Sequence, residues 1–154
     1  MAPFKRVLVA NRGEVALRVI RACHEEGLEA VAVYSDADRL SPHVRAAHVA
    51  VPIGAAPAAE SYLDIAKLIE AARTTECQAI HPGYGFLSER APFAEAVTQA
   101  GLTFVGPSPD VLRRIGDKAE AKAVAEQAGV PVLPGYRGAD QMDEAFAAAA
   151  TRIG

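Results

Sequence analysis

The chain has 154 residues, of which 51% are hydrophobic and 23% charged, and its net charge is −3. This composition is that of a folding chain with a sizeable core, and the interspersed, slightly acidic charge gives no basic surface for nucleic acid. The apolar runs are too short to span a membrane, the first residues lack a signal-peptide apolar region, and two cysteines make no disulfide framework. We therefore expect a cytoplasmic protein.

Short apolar runs alternate with longer segments of helical period. The pattern predicts strands at residues 6–10, 29–34, 79–81 and 103–105, and helices at residues 14–26, 62–74, 91–99, 109–115 and 118–127. Continuous apolar strands separated by helices are typical of a doubly wound, mainly parallel α/β sheet with helices on both faces. We expect this α/β domain to occupy residues 1–115 and a helical continuation to occupy residues 116–154.

Residues that start and stop helices agree with this order. Ser61 is the predicted N-cap of the helix beginning at Tyr62, and Asp117 that of the helix at residue 118. Residues 51–57 are expected to form a loop because proline and glycine interrupt them. Three glycines follow predicted helix ends, where a left-handed residue is needed: Gly27, Gly101 and Gly129. The last helix stops on Gly154, and we expect a doubly wound chain to continue beyond it into another strand.

The segment ANRGE, residues 10–14, directly follows the first strand and opens the first helix. With Asp36 and Asp38 after the second strand it permits a dinucleotide-binding interpretation, but the fingerprint needs three glycines and only Gly13 is present. The favoured alternative is a tight turn in which Arg12 and Glu14 form ion pairs.

The segment HPGYGFLSE, residues 81–89, follows the third predicted strand. Gly83 and Gly85 permit a positive φ and the close approach of a ligand, and Tyr84 offers a flat apolar face with a hydroxyl group. A turn whose aromatic side chains plug the end of the core is the equally supported alternative.

Three further groups of residues have the chemistry of candidate sites. Lys118 in the first turn of a helix opposes the helix dipole, so it suits a bound anion, although a solvated surface lysine is the commoner case. Arg18, Arg21 and Glu25 share one face of the first helix, which is either a subunit contact or a solvated face. The spacing of the histidines and cysteines matches no metal site, and Cys23 and Cys77 are expected in the core.

Taken together, these motifs resemble the N-terminal domain of biotin carboxylase, as found in acetyl-CoA and propionyl-CoA carboxylase, pyruvate carboxylase and relatives. The matching segments follow the family order and cover nearly the whole chain: KRVLVANRGEVALRVIRAC, AVYSDADRLSPHVRAAH, SYLD, AIHPGYGFLSE, FVGPSPDVLRRIGDKAEAK and AGVPVLPG. The co-occurrence of ANRGE and HPGYGFLSE is specific to this family.

The resemblance implies a Rossmann-like domain that precedes an ATP-grasp module. The full enzyme is expected to use ATP, Mg²⁺ and bicarbonate to carboxylate biotin held on a carrier domain, and a carboxyltransferase then passes the carboxyl group to the acceptor. By resemblance Lys118 contacts ATP, Tyr84 and Gly85 lie beside biotin, and Arg18, Arg21 and Glu25 take part in a homodimer contact.

The resemblance also implies that most of the catalytic centre lies beyond residue 154. The glycine-rich phosphate loop, a second nucleotide lysine, the Mg²⁺ carboxylates and the bicarbonate arginines all follow that position in the family. No catalytic residue is therefore assigned within the chain, and we expect it to be inactive alone. Two alternatives stay open at this point: the leading domain of another ATP-grasp ligase, and a non-catalytic nucleotide-binding module. The sequence does not identify the acceptor.

Overall fold

Five strands form one sheet in which every neighbouring pair is parallel. The order across the sheet places the third strand at one edge and the fifth at the other, as β3-β2-β1-β4-β5, where the strands are β1 (Arg6–Val9), β2 (Glu29–Ser35), β3 (Val49–Gly54), β4 (Ala79–His81) and β5 (Thr103–Phe104). The chain runs outward from β1 to β3 and then returns to the other side of β1. The sheet is therefore doubly wound, as the sequence predicts.

Seven α-helices connect and follow the strands in this computed structural model, which describes residues 4–116, 118–138 and 140–154, with Lys118 described by its backbone alone. They are α1 (Gly13–Glu25), α2 (Pro42–Ala46), α3 (Ile65–Thr74), α4 (Ala91–Gln99), α5 (Pro109–Ile115), α6 (Lys118–Gln127) and α7 (Asp143–Ile153). The chain divides into two compact units, Met1–Leu112 and Arg113–Gly154.

Alternate residues of β1 enter two separate cores, one on each face of the sheet. Val7 and Val9 pack with α1, which buries Ala16, Ile20 and Cys23 at helical spacing. Leu8 lies in the opposite core with the buried residues of α3 and α4, among them Leu68, Ala72, Phe93 and Val97. Helices on both faces are thus confirmed, and so is the burial of both cysteines, since Cys77 belongs to the second core.

The predicted loop at residues 51–57 is wrong for its first half, which belongs to β3. Pro52 and Gly54 are typical of loops, but β3 is an edge strand, where proline is tolerated. The register with β2 shifts between Tyr34 and Ser35, opposite these two residues. The sheet therefore has one strand more than the sequence predicts.

The predicted helix start at Tyr62 is also wrong. The helix begins at Ile65, and Asp64 is its N-cap because its carboxylate accepts a hydrogen bond from the Lys67 amide at 3.1 Å. Ser61 instead donates its hydroxyl to the carbonyl of Pro57 at 2.9 Å. The three glycines predicted after helix ends do adopt positive φ angles: 70° at Gly27, 78° at Gly101 and 73° at Gly129. The predicted Asp117 cap lies outside the described residues.

The second unit contains the end of α5, the helices α6 and α7, and the connection between these two helices. Arg137 of the connection forms an ion pair with Glu126 of α6 at 2.7 Å. The Tyr136 ring packs against Phe146 of α7 with a centroid distance of 5.3 Å, and its hydroxyl donates to the carbonyl of Asp140. Within the described ranges of the chain, no helix is both long and apolar enough to cross a membrane.

His43 of α2 is a fully buried titratable group. One ring nitrogen, Nε2, lies 3.3 Å from the carbonyl oxygen of Val33, while Nδ1 has no hydrogen-bond partner among the described residues. Burial lowers the pKa of His43, and this effect outweighs the opposing contributions of the Val33 carbonyl and the Asp38 carboxylate. The ring is therefore neutral in the fold, with its proton on Nε2.

We predict that the free energy of unfolding decreases as the pH falls below 6.5, the ordinary histidine pKa. Below that pH the unfolded chain binds a proton that folded His43 resists, so acid favours the unfolded state until the folded pKa is also passed. Urea unfolding between pH 5 and 8 measures the slope. His43→Leu should make the slope shallower, while the partly buried His81, whose pKa burial also lowers, continues to contribute to it. An unaltered slope in His43→Leu would contradict the prediction.

Candidate functional site

The loops that follow β1 and β4 meet at the carboxyl edge of the sheet, where the strand order changes direction. β1 and β4 are parallel neighbours, although they are distant in sequence. The first loop contains Asn11 and Arg12, and the second runs from Pro82 to Phe86. Ligands of open α/β sheets bind in the crevice at such a switch point. The two motifs singled out in the sequence are therefore brought together, as expected for a candidate binding site.

Asn11 joins the two loops through its side-chain amide. Its Nδ2 donates hydrogen bonds to the carbonyl oxygens of Pro82 and Tyr84, both at 2.8 Å, and its Oδ1 accepts from the Arg12 amide at 2.9 Å. Only 3% of the residue is exposed. Because only an amide of this length offers two donated hydrogens and an acceptor here, aspartate and alanine are poor substitutes.

The two glycines of the second loop both have positive φ angles, 66° at Gly83 and 68° at Gly85, as the sequence predicts. They differ in their surroundings. A Cβ atom at Gly83 would lie 2.7 Å from both Asn11 Nδ2 and Val15 Cγ1, whereas one at Gly85 would meet nothing within 4 Å. Gly83 is therefore required for close packing, and the backbone at Gly85 is open to an approaching group.

The aromatic side chains of this loop point in different directions. Tyr84 is 68% exposed, so it does not plug the core, and that alternative is wrong for this residue. Phe86 is partly buried and packs against the core under α3 and α4, so the same alternative holds there. The loop thus displays one aromatic ring to solvent and anchors the other.

His81, the last residue of β4, helps to shape the turn. Its Nδ1 accepts a hydrogen bond from the Gly83 amide at 2.9 Å, which leaves the proton of the neutral ring on Nε2. Burial lowers the pKa of His81. The ring also lines a mostly apolar cavity of about 500 Å³ with Val15, Val19 and Tyr84.

The predicted ion pairs of the first loop are confirmed. Arg12 Nη1 lies 3.4 Å from Asp38 Oδ2, and Arg18 lies 3.6 Å from Glu14. Asp38 also accepts hydrogen bonds from the hydroxyls of Ser35 at 3.0 Å and Tyr62 at 2.7 Å. Although burial alone raises the pKa of Asp38, these donors more than offset it, so the pKa is lowered. The Asp38 carboxylate is therefore already bound by three donors of the protein itself.

Tyr62 was not identified from the sequence as part of this region. Its phenol is buried, and burial together with the hydrogen bond to Asp38 raises the pKa of Tyr62 to about 12. Its ring stacks on Phe86 with centroids 5.3 Å apart. No spacing rule connects positions 38, 62 and 86, so only the fold reveals the group.

Of the other predicted site residues, Arg18 lines the same cavity as Tyr84 and His81. Arg18, Arg21 and Glu25 are exposed on α1, on the side opposite its buried residues. Lys118 is the first residue of α6, and its side chain lies outside the described part of the chain. Among the described residues, no group of three or more histidine, cysteine or acidic side chains could hold a metal ion.

The fold and the switch-point loops define a doubly wound α/β domain of the kind that binds a ligand at the carboxyl edge of its sheet. Residues 3–112 match the family model described as "Biotin carboxylase, N-terminal domain". The chain belongs to this family.

Relatives of the chain are longer carboxylases. It is 53% identical over 150 residues to the methylcrotonoyl-CoA carboxylase subunit alpha of Oryza sativa, covering 97% of the chain and 20% of that protein. It is 52% identical over 148 residues to the biotin carboxylase of Pseudomonas aeruginosa, covering 96% and 33% respectively. The chain therefore spans between a fifth and a third of the length of these two relatives.

A solved structure agrees with the fold. The biotin carboxylase domain dimer of Hydrogenobacter thermophilus 2-oxoglutarate carboxylase, in complex with MgADP, ADP and bicarbonate, matches with a TM-score of 0.88 and 44% identity. The match covers 98% of the chain and 33% of that domain chain.

We predict that Gly83→Ala destabilises the fold more than Gly85→Ala does. Both substitutions place alanine at a positive φ, which costs about 1–2 kcal/mol, but only Gly83→Ala also forces a Cβ against Asn11 and Val15. Urea unfolding of the two variants isolates the packing contribution, because the backbone strain is shared. Equal losses of stability would show that the close contact is relieved at no cost.

We also predict that Asn11→Asp costs about 3 kcal/mol or more, and more than Asn11→Ala. Asparagine and aspartate have nearly the same shape, but a carboxylate cannot donate and would place negative charge beside two carbonyl oxygens. Urea unfolding at pH 7 compares the two variants. A smaller loss for Asn11→Asp than for Asn11→Ala would contradict the role given to the donated hydrogen bonds.

Proposed function

We propose that the chain is the N-terminal part of a biotin carboxylase that uses ATP and bicarbonate to carboxylate biotin attached to a carrier domain. Family membership supports the reaction, since a biotin carboxylase and the biotin carboxylase domain of a second carboxylase each match more than nine-tenths of the chain. The observation that carries the proposal is the loop at residues 82–86, which Asn11 holds at the switch point of the sheet.

This loop is the biotin side of the proposed site. The exposed ring of Tyr84 supplies a flat surface for the bicyclic ring of biotin, and the open backbone at Gly85 lets that ring come close. The chemistry supplied by biotin is a ring nitrogen that accepts the carboxyl group. Tyr84 and Gly85 bind and orient the ring in this proposal, and they transfer no proton.

Lys118 is the proposed ATP contact within the chain. It stands at the first position of α6, where backbone amides and a cation together favour a phosphate group. The residues that hold Mg²⁺ and bicarbonate are proposed to lie in an ATP-grasp module beyond residue 154. Phosphoryl transfer requires several cations around the phosphates, so one lysine is not sufficient.

Exposed residues of α1 are the proposed homodimer contact. Arg18, Arg21 and Glu25 face away from the core and are free of it, which suits a polar subunit interface. Further proposed partners are the biotin carrier and a carboxyltransferase. The acceptor is proposed to be chosen outside this chain, because similar identities link it to carboxylases named for methylcrotonoyl-CoA and 2-oxoglutarate. The proposed location is the cytoplasm, where two unpaired thiols are the ordinary state.

We predict that Lys118→Gln, in the full-length product of the reading frame, raises the KM for ATP or lowers kcat by about tenfold or more without altering stability. The substitution removes a cation from the proposed phosphate site. A lysine in the first turn of a helix opposes the helix dipole, so its replacement by a neutral residue is not expected to weaken the fold. Steady-state kinetics with free biotin measure the effect. The matched control is Lys122→Gln, one turn further along α6, where the ammonium donates to the Leu133 carbonyl. Equal kinetics in both variants would contradict the assignment.

The chain of 154 residues alone is expected to show no bicarbonate-dependent ATPase activity and no carboxylation of free biotin. The full-length product assayed in parallel is the control. Turnover by the chain alone at a rate comparable to the full-length product would refute the division of the site between the chain and downstream residues.

A further inference from the structure

Four side chains form a cluster that includes the last residue of the proposed biotin loop, and the function described so far does not use it. They are Arg12, Asp38, Tyr62 and Phe86, and we call them the Arg12 cluster. We propose that the Arg12 cluster positions the loop at residues 82–86 and thereby sets the affinity for the biotin ring. This inference rests on the proposed function of the loop.

Phe86 is the point at which the cluster holds the loop. Its φ angle is +46°, a left-handed conformation that a phenylalanine rarely adopts. Such a conformation persists where surrounding contacts fix it. The Phe86 ring lies nearly parallel to that of Tyr62, with an interplanar angle of 8° and centroids 5.3 Å apart. The side chain is thus fixed, and the unusual backbone with it.

Tyr62 is in turn anchored to the sheet. It is 1% exposed, its hydroxyl donates to Asp38 Oδ2 at 2.7 Å, and it accepts a hydrogen bond from the Ser35 amide at 3.0 Å. Ser35 is the last residue of β2, so the ring that supports Phe86 is attached directly to a central strand. Because Tyr62 is attached to the sheet and stacks on Phe86, it holds the end of the loop in a fixed position relative to the sheet.

Arg12 closes the cluster from the outside. Its guanidinium carbon lies 5.6 Å from the ring centroids of both Tyr62 and Phe86, and Nη1 lies 3.4 Å from Asp38 Oδ2. The planar guanidinium can stack on aromatic rings while its charge attracts the carboxylate. The side chain is 47% exposed, so it covers the rings without being essential to the core.

The loop is consequently held at both ends. Asn11 fixes the carbonyls of Pro82 and Tyr84, and the Arg12 cluster fixes Phe86. The exposed ring of Tyr84 and the backbone of Gly85 lie between these two attachments. A loop that is ordered before its ligand arrives loses less conformational entropy on binding, so it binds more tightly.

The first part of the test measures loop order in the chain. The Ser88 amide donates to the carbonyl of Gly85 at 2.9 Å, so its hydrogen exchange reports opening of the loop. Tyr62→Phe and Phe86→Leu should each accelerate that exchange by about tenfold, as the loss of one buried polar contact or ring contact implies. The controls Tyr136→Phe and Phe146→Leu remove the same atoms from the second unit and should leave it unchanged.

The second part measures kinetics in the full-length product. Tyr62→Phe and Phe86→Leu should raise the KM for free biotin by about tenfold while kcat and the KM for ATP stay within about twofold. If Ser88 exchange does not change, the Arg12 cluster does not position the loop and the inference is overturned. If exchange accelerates and the KM for biotin does not change, the loop is positioned but the proposed biotin role fails.

Arg12→Gln serves as the variant that keeps the fold if Tyr62→Phe does not. It removes the guanidinium from both rings at a half-exposed position, so Ser88 exchange should again accelerate while thermal unfolding stays close to that of the parent chain. Arg12→Lys retains the charge but not the planar group, so its Ser88 exchange should be faster than in the wild type and slower than in Arg12→Gln. If the Ser88 amide exchanges at the wild-type rate in both single variants, Arg12→Gln and Phe86→Leu, the inference is overturned.

Discussion

A single side-chain amide connects the two sequence motifs on which the site depends. Asn11 follows β1, and the carbonyls that it binds follow β4, 71 and 73 residues away in the chain. Both loops leave adjacent parallel strands at the same edge, so their separation in sequence becomes a distance of one hydrogen bond. Gly83 packs directly on this amide. The backbone of the loop that carries Tyr84 is therefore held directly by Asn11.

The charged groups around the loop are neutralised by partners within the protein itself. The Asp38 carboxylate receives two hydroxyl donors and a guanidinium, and its lowered pKa keeps it charged at neutral pH. Tyr62 stays protonated because its pKa is raised to about 12. These groups therefore form a charged, hydrogen-bonded network within the protein.

Local patterns were sufficient to predict most of the sheet, and long-range contacts explain what they missed. The runs at β1, β2 and β4 are apolar enough to be recognised alone, and the positive φ angles of Gly83 and Gly85 follow from their turn. β3 escaped prediction because Pro52 interrupts it, which only its edge position permits. The grouping of residues 12, 38, 62 and 86 has no signature in sequence, since it arises where three strand ends and one helix start converge.

The two ends of the sheet also bear on how this protein behaves at high concentration. β5 has only two residues, and β3 carries a proline, a glycine with φ of +129° and a register shift. Short or bent outer strands offer a poor template for strands of other molecules. The proline and glycine that kept β3 from being predicted thus also protect this edge of the sheet against edge-to-edge aggregation.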